Sequence, residues 1–372
     1  MKKKLLALSI GAALTAATVP AMSAELKISG RAHVSVDHID NGASGARGAA
    51  DAKRSGLTAS SNSSRLRISG SKEVTEGLTA IMQLESMIRF DQGEGGTFGS
   101  RDTFAGLKGD FGTVRIGYFD TPLKKVRSFT DMFGDRIGDA RNITSGDNLS
   151  FDNRFKNSIG YTTPNFNGFN FDLQYSATNE DNGSGRDANL DNGREAFSAA
   201  LNYRADGLRM SAAVESLGQG YASNTATKQN DDAVAYRLGL TYDFTKELKV
   251  AAFYQNSNKR KTYNADRTVN NEIGSRDVFG VGASYRMGDY VVRGQYYNAS
   301  NESDTKKTGA DMFAVGLDRR FGRDLTLYGA YAMTNNQDNA KFSAVGGGRD
   351  TRITTVNGKD VSAFSLGLIY NF

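Results

Sequence analysis

The chain is written on a two-residue period. In AVAYRLGLTYDF (233–244), Val234, Tyr236, Leu238, Leu240 and Tyr242 share one parity, and Ala235, Arg237, Gly239 and Thr241 share the other. REAFSAALNYR (194–204) sets Phe197, Ala199, Leu201 and Tyr203 against Ser198, Ala200, Asn202 and Arg204. GFNFDLQYS (168–176) and the terminal AFSLGLIYNF (363–372) repeat the pattern. Successive side chains of a strand point to opposite faces, so each segment predicts a strand of about ten residues, apolar on one side and polar on the other.

The connections alternate in length. EVTEG, KGDFG, TPNFNG, RADG, DFTKE, RMGD and RFGRD are short and carry Gly, Asp and Asn turn chemistry. Between them lie long polar stretches, at roughly 39–63, 91–100, 120–156, 179–193, 217–231, 257–275, 298–310 and 335–360. Seven short turns and eight long loops join sixteen strands, with every long loop at the same end. A large soluble sandwich would also alternate. It would not place the longer loop at every second connection, nor Arg on the polar parity of so many strands. The expected fold is all-β: a transmembrane antiparallel up-and-down β-barrel of 16 strands, apolar outside and aqueous inside. Closure satisfies every backbone hydrogen-bonding group, which hydrocarbon demands.

Composition agrees. Mean hydropathy is −0.48, and no apolar run of membrane-helix length follows the first residues. There are 42 Gly, 3 Pro, 16 Tyr, 21 Phe and no Trp. Tyr118, Tyr161, Tyr175, Tyr203, Tyr242, Tyr254, Tyr285, Tyr331 and Tyr370 fall on the apolar parity, at strand ends, as interfacial aromatic girdles require. Residues 1–24 read as a secretory leader: a basic MKKK, an apolar LLALSIGAALTAATV and a small-residue PAMSA, with cleavage expected after Ser23 or Ala24. Without its three lysines the formal charge falls from +5 to +2. No basic stripe points to nucleic acid.

Catalytic chemistry has little to work with. The chain has no cysteine and two histidines, His33 and His38. No phosphate-binding, dinucleotide or HExxH motif is present, and VGGGRD (345–350) reads as a flexible loop tip. No catalytic residue, metal site or cofactor is expected.

The mature part, 25–372, resembles the general-diffusion porins of Gram-negative outer membranes. The likeness runs through ELKISGRAHVSVD, SRLRISGSKEVTEGLTAIMQLE, RDTFAGLKGDFGTVRIGYFDTPL, NSIGYTTPNFNGFNFDLQYS and SAFSLGLIYNF. Phe364, Leu366, Leu368, Tyr370 and Phe372 resemble the C-terminal signal read by the barrel-assembly machinery. The resemblance implies a homotrimer in the bacterial outer membrane, set in lipid and lipopolysaccharide, passing small hydrophilic solutes and ions. It also implies a protomer contact at the N-terminal strands, with the loop near DQGEGGTFGS (91–100) latching a neighbour. A channel tuned to one class, an anion or phosphate, organic acid or sugar, is the alternative.

The same resemblance places the third long loop, about 120–156, inside the barrel as its constriction. Asp131, Asp135 and Asp139 recur every fourth residue, and on a helix they would share one face. Like charges at that spacing repel, so an acidic face kept there calls for a basic partner. The expected partner is the inward wall of Lys27, Arg31, Arg65, Arg67, Arg89 and Arg115, with Glu85 and Asp37 opposing. Arg204, Arg209, Arg237, Lys249, Arg286, Arg293 and Arg320 carry the same parity farther along. Phe129 and Phe133 would pin the loop's other side. The enteric family's Pro-Glu-Phe-Gly-Gly segment is missing, and DMFGD stands nearby instead. Arg127 and Arg136 lie among five basic residues that balance five acidic ones from Asp120 to Asp147. The sign of the selectivity is therefore left to the wall, whose basic excess favours anions.

Overall fold

In the computed structural model, which describes residues 25–46, 48–95, 97–145, 151–177, 195–218, 231–263 and 269–372, sixteen antiparallel strands close into one barrel. The expected leader, 1–24, lies outside the described residues. The strands are β1 (Glu25–Asp40), β2 (Ser55–Ser61 and then Arg65–Thr75), β3 (Leu78–Arg89), β4 (Thr103–Gly109), β5 (Gly112–Asp120), β6 (Arg154–Thr162), β7 (Phe169–Ser176) and β8 (Ala196–Ala205). They continue as β9 (Leu208–Leu217), β10 (Ala233–Asp243), β11 (Leu248–Ser257), β12 (Arg276–Met287), β13 (Tyr290–Ala299), β14 (Ala310–Phe321), β15 (Leu325–Asn336) and β16 (Val361–Asn371).

Each strand pairs with its neighbour in the chain, and β16 returns to β1 in the register Arg31↔Asn371 through Asp40↔Ser362. The last residue seals the seam. Phe372 accepts from the Gly30 amide at 2.8 Å and donates to the Gly30 carbonyl at 3.2 Å. A Cβ at Gly30 would lie 2.4 Å from the Phe372 ring, so only glycine lets the ring cross β1.

One boundary differs from the reading above. The first loop was expected over 39–63, but Ser55–Ser61 pairs with Val34–Asp40 and extends the wall. β2 is interrupted at Asn62–Ser64, where Ser63 has φ +53°. Apart from register shifts at Glu73–Thr75 and Gly117–Phe119, the alternation is realised as expected. Leu26, Ile28, Leu57, Ile116, Tyr236, Leu238, Phe279, Val281, Phe364 and Leu366 project outward and are exposed.

The buried apolar residues lie inside, where loops meet the wall. The wall there is small: Ala200, Ala213, Ala235, Ala251, Ala314 and Ala332 are all buried. These alanines, with Gly239, Gly282 and Gly316, form a shallow bed that a loop can occupy without closing the lumen.

Candidate functional site

The described parts of the third connection, residues 121–145 and 151–153, fill that bed. Thr121 caps the helix α1 (Pro122–Thr130), its hydroxyl accepting from the Lys124 amide at 3.2 Å, and Pro122 sits where a missing N–H costs nothing. The α1 axis runs across β8 to β11, with Leu123 and Val126 buried on the alanine bed. The loop then crosses β12 and β13. There Gln295 accepts from the Met132 amide at 2.8 Å and donates to the Gly138 carbonyl at 2.7 Å. Phe133 is fully buried against Gly316, while Phe129 packs beside Val126 and stacks under Arg209 at 4.0 Å. A second short helix, α2 (Arg141–Thr144), follows before the chain leaves for β6.

The acidic row is not a helix face. α1 ends at Thr130, and Asp131–Asp139 forms turns in which Asp135 takes φ +63° and Gly138 φ +74°. Asp131 accepts from the amides of Phe133 (2.9 Å) and Ala140 (3.0 Å). Asp139 accepts from the amides of Asp135 (2.7 Å) and Arg141 (2.8 Å). Asp131 and Asp139 thus serve the loop's own backbone, so their spacing reflects turn geometry rather than a shared helical face. Their cationic partners are also mostly the loop's own. Arg127 reaches Asp131 at 3.1 Å, Asp139 at 3.8 Å and Asp152 at 2.8 Å. Arg141 reaches Asp135 and Asp139, both at 2.6 Å. Only Asp135 of the three meets the expected wall, with Arg65 at 3.9 Å.

Anchoring to the wall runs largely with the opposite sign. Arg136 donates to Asp318 at 2.6 and 3.1 Å and lies 4.2 Å over the Tyr328 ring. Lys125 meets Asp172 at 2.8 Å. In the other direction, the fully buried Arg237 meets Asp152 at 3.0 Å.

Four carboxylates, Asp131, Asp135, Asp139 and Asp152, thus share three closely bound guanidinium groups, those of Arg127, Arg141 and Arg237. Asp131 carries the deficit: burial, then the neighbouring Asp139, pushes it up to about 7 despite Arg127. Burial works against the Asp135 and Asp152 carboxylates too, but the guanidinium groups of Arg141 and Arg65, and of Arg127 and Arg237, hold them below the usual range. Burial lowers Lys124 to about 8, although Asp120 lies 2.7 Å away.

Opposite the loop stands the β1–β3 wall. Arg67 and Arg101 each reach the buried Glu85 at 2.5 Å, and Arg65 approaches it at 4.0 Å. Arg31 is held by the side-chain oxygen of Asn371 at 3.0 Å rather than by a carboxylate. Of the other expected wall residues, Arg89 sits higher, 3.7 Å from Asp350. Arg115 stacks on Phe119 and Phe104 at 4.6 and 5.5 Å. Lys27 is exposed at the turn end of β1. These three, and Arg67 with its partner Glu85, do not line the gap between loop and wall.

That gap is a cavity of about 450 Å³. A cavity of about 970 Å³ lies toward the long loops and one of about 890 Å³ toward the short turns. Arg101 and Arg141 line both the first and the second, and Arg31, Arg136 and Arg293 both the first and the third, so the three adjoin along the barrel axis. Sequence reasoning missed Arg101 and Arg154 here. Arg101 sits in a bend before β4, where parity has no meaning, and Arg154 follows a register shift at Gly117–Phe119 that breaks the alternation. Arg293 was legible from its inward parity. Among the described residues no cluster of His, Asp or Glu could hold a metal ion.

The profile of the Gram-negative porins matches residues 10–339. The chain belongs to the Gram-negative porin family. A chitoporin of Vibrio furnissii is 32% identical over 219 residues, which are 52% of this porin and 57% of that relative, so the match spans just over half its length. A major outer membrane protein P.IB of Neisseria gonorrhoeae is 28% identical over 312 residues, 80% of this porin and 82% of the relative. Among solved structures, the anion-selective porin from Comamonas acidovorans superposes with a TM-score of 0.73 at 22% identity, covering 94% of this porin and all of that chain. The trimer form of OmpT of Vibrio cholerae gives 0.65 at 14% identity, covering 94% and 100%. This porin is therefore an outer-membrane channel, its long loops external and its short turns periplasmic.

Proposed function

We propose that this porin is a homotrimeric general-diffusion channel that favours anions, with the loop 121–153 and the β1–β3 wall as its constriction. The observation that carries the reading is the charge around the central cavity. Nine basic side chains line it (Arg31, Arg65, Arg101, Lys124, Arg127, Arg136, Arg141, Arg154 and Arg293) against three acidic ones (Asp120, Asp131 and Asp135). Glu85, Asp102, Asp139, Asp152 and Asp318 lie behind that lining and offset much of it. The excess falls on the side of Arg31 and Arg65. A narrow water-filled gap between low-dielectric walls focuses such a field and raises the local concentration of counter-ions.

A sugar-tuned channel has less support. Such a channel would present inward aromatic rings as a stacking track. Here Phe119, Phe253, Tyr297 and Tyr328 face inward but are buried, under Arg115, the loop or Arg136. Family membership and the trimeric OmpT relative support the trimer. The outward, alternating Phe364, Leu366, Leu368, Tyr370 and Phe372 suit both lipid contact and recognition by the assembly machinery. Planar-bilayer recording across a salt gradient tests the selectivity. A reversal potential of anionic sign is expected, and clear cation preference would overturn the proposal.

A further inference from the structure

The segment VGGGRD, expected as a flexible tip, is folded into the outer mouth. Val345 and Arg349 are buried. Three contacts hold the segment. The first is to the inner loop: the Gly138 amide donates to the Ala344 carbonyl at 2.8 Å, and the Gly347 amide to the Asn142 side-chain oxygen at 3.0 Å. The second is to the interruption of β2, whose SSNSS sequence the strand pattern left unexplained. Ser63 Oγ donates to the Gly348 carbonyl at 2.8 Å, and the Asp350 amide to the Ser61 carbonyl at 3.0 Å. The third is an ion pair of Arg349 with Asp37 on β1, both side chains fully buried.

The glycines have a reason. A Cβ at Gly348 would lie 1.9 Å from Arg141 Nη2 and 2.3 Å from Asp135 Oδ1, and one at Gly347 3.0 Å from Asp139 Oδ1. Bare backbone lets this strap lie on the Arg141–Asp135–Asp139 pairs. The strap also lines the outer cavity beside Arg101 and Arg141, which it shares with the constriction.

The clamp is costly. Arg349 Nε and Nη1 and Asp37 Oδ1 are buried without a hydrogen-bond partner. A buried pair satisfied so incompletely contributes little net stability. It fixes where the strap lies.

We infer that Arg349 is a positioning residue that holds residues 345–350 in the outer mouth and thereby sets the upper size of solutes that enter the constriction. This rests on the channel function and is independent of the sign of the selectivity.

The test compares neutral sugars of increasing size in liposome-swelling assays with single-channel conductance, on barrels shown to be folded by heat-modifiable gel migration. Arg349→Gln and Gly348→Val are expected to admit sugars that the parent excludes and to raise conductance. Gly348→Val changes no charge and leaves both Arg349 and Asp37 in the chain, so it decides the matter if Arg349→Gln fails to fold. A Ser60→Cys/Thr351→Cys pair, where the Thr351 amide is 3.3 Å from Ser60 Oγ, reports on docking in a chain with no other cysteine. Oxidation should form the bridge and, in the Gly348→Val background, restore the parental size limit. Parental size limits and conductance in folded variants, or failure of the bridge to form in the parent, would overturn the inference. A changed reversal potential with an unchanged size limit would also overturn it, while leaving the anion proposal standing.

Discussion

Arg31 on β1 and Arg65 on β2 are direct cross-strand partners, and both line the central cavity. Like charges directly opposite one another destabilise a sheet pair, by roughly 0.2–1 kcal/mol. Neither charge is fully neutralised: Arg31 leans on the amide of Asn371, and Arg65 donates to the Ser63 carbonyl at 3.2 Å and has carboxylates only at a distance, Glu85 at 4.0 Å and Asp135 at 3.9 Å. The pair is the least compensated positive charge in the constriction. Arg31→Gln is therefore expected to make the folded barrel slightly more stable, by up to about 1 kcal/mol, while lowering the anion-to-cation permeability ratio. Urea titration and reversal potentials would show the two effects moving in opposite directions. A ratio unchanged from the parent would remove Arg31 from the selectivity argument.

Selectivity should also depend on pH with a definite sign. As pH rises through about 7, Asp131 ionises and the constriction gains a negative charge. Through about 8, Lys124 loses its proton and a positive charge disappears. Both steps weaken anion preference, so the reversal potential should drift toward the cationic sign in the alkaline direction. Asp131→Asn should erase the lower step and Lys124→Met the upper. A flat profile in the parent would mean that neither side chain is felt by permeating ions.

How much of this was legible depends on how regular the backbone is. Val234 to Tyr242, or Phe364 to Phe372, report their face directly, because a strand repeats every two residues. The sixteen strands and the inward Arg31, Arg65 and Arg293 follow from that. The period fails in the loops. The spacing of Asp131, Asp135 and Asp139 suggests a helical face, yet Asp131 and Asp139 bind backbone amides, and Asp135 binds Arg141, in turns that contain a left-handed Asp135. Carboxylates compete with helical hydrogen bonding in this way, and spacing alone does not register it. VGGGRD was misread for a related reason. Its glycines mark a close approach to Arg141, and that partner lies some two hundred residues away in the chain.

Arg127 is the keystone of the inner loop. It is almost fully buried and touches Asp131, Asp139 and Asp152. Removing one partner of a buried ion pair typically costs 3–5 kcal/mol, roughly, because the other charge is left uncompensated. Arg127→Met should lose on the order of that much loop stability. The barrel strands should still assemble, since Arg127 makes no strand-to-strand contact. The expected signature is a folded trimer with noisy, enlarged conductance and protease sensitivity near residues 121–153. A quiet channel of parental conductance would show that the loop holds without it.

Gly138 tests the same loop sterically. Its φ is +74°, and a Cβ there would lie 2.5 Å from the Ala314 Cβ and 3.0 Å from that of Ala332. Overpacking of this kind costs about 1–3 kcal/mol, and the left-handed backbone adds to it. Gly138→Val should therefore lift the segment 132–140 off β14 and β15 and change conductance without altering any charge. Ala314→Gly in the same chain opens space beneath it and should recover part of the loss in single-channel records.

Phe372 closes the seam between β16 and β1. Phe372 exchanges two backbone hydrogen bonds with Gly30, and its ring lies where a Gly30 Cβ would stand. Phe372→Ala keeps the backbone pairing and removes the ring, whereas Gly30→Val keeps the ring and blocks its seat. If the ring matters only for sealing β1 to β16, both variants should lower thermal stability of the isolated barrel to a similar degree. If Phe372 is in addition read during assembly, Phe372→Ala alone should reduce the amount reaching the outer membrane, at equal synthesis and equal refolding yield in detergent. Quantifying folded barrel in outer-membrane fractions beside detergent refolding separates the two roles. Equal membrane yields for the two variants would leave Phe372 with the sealing role alone.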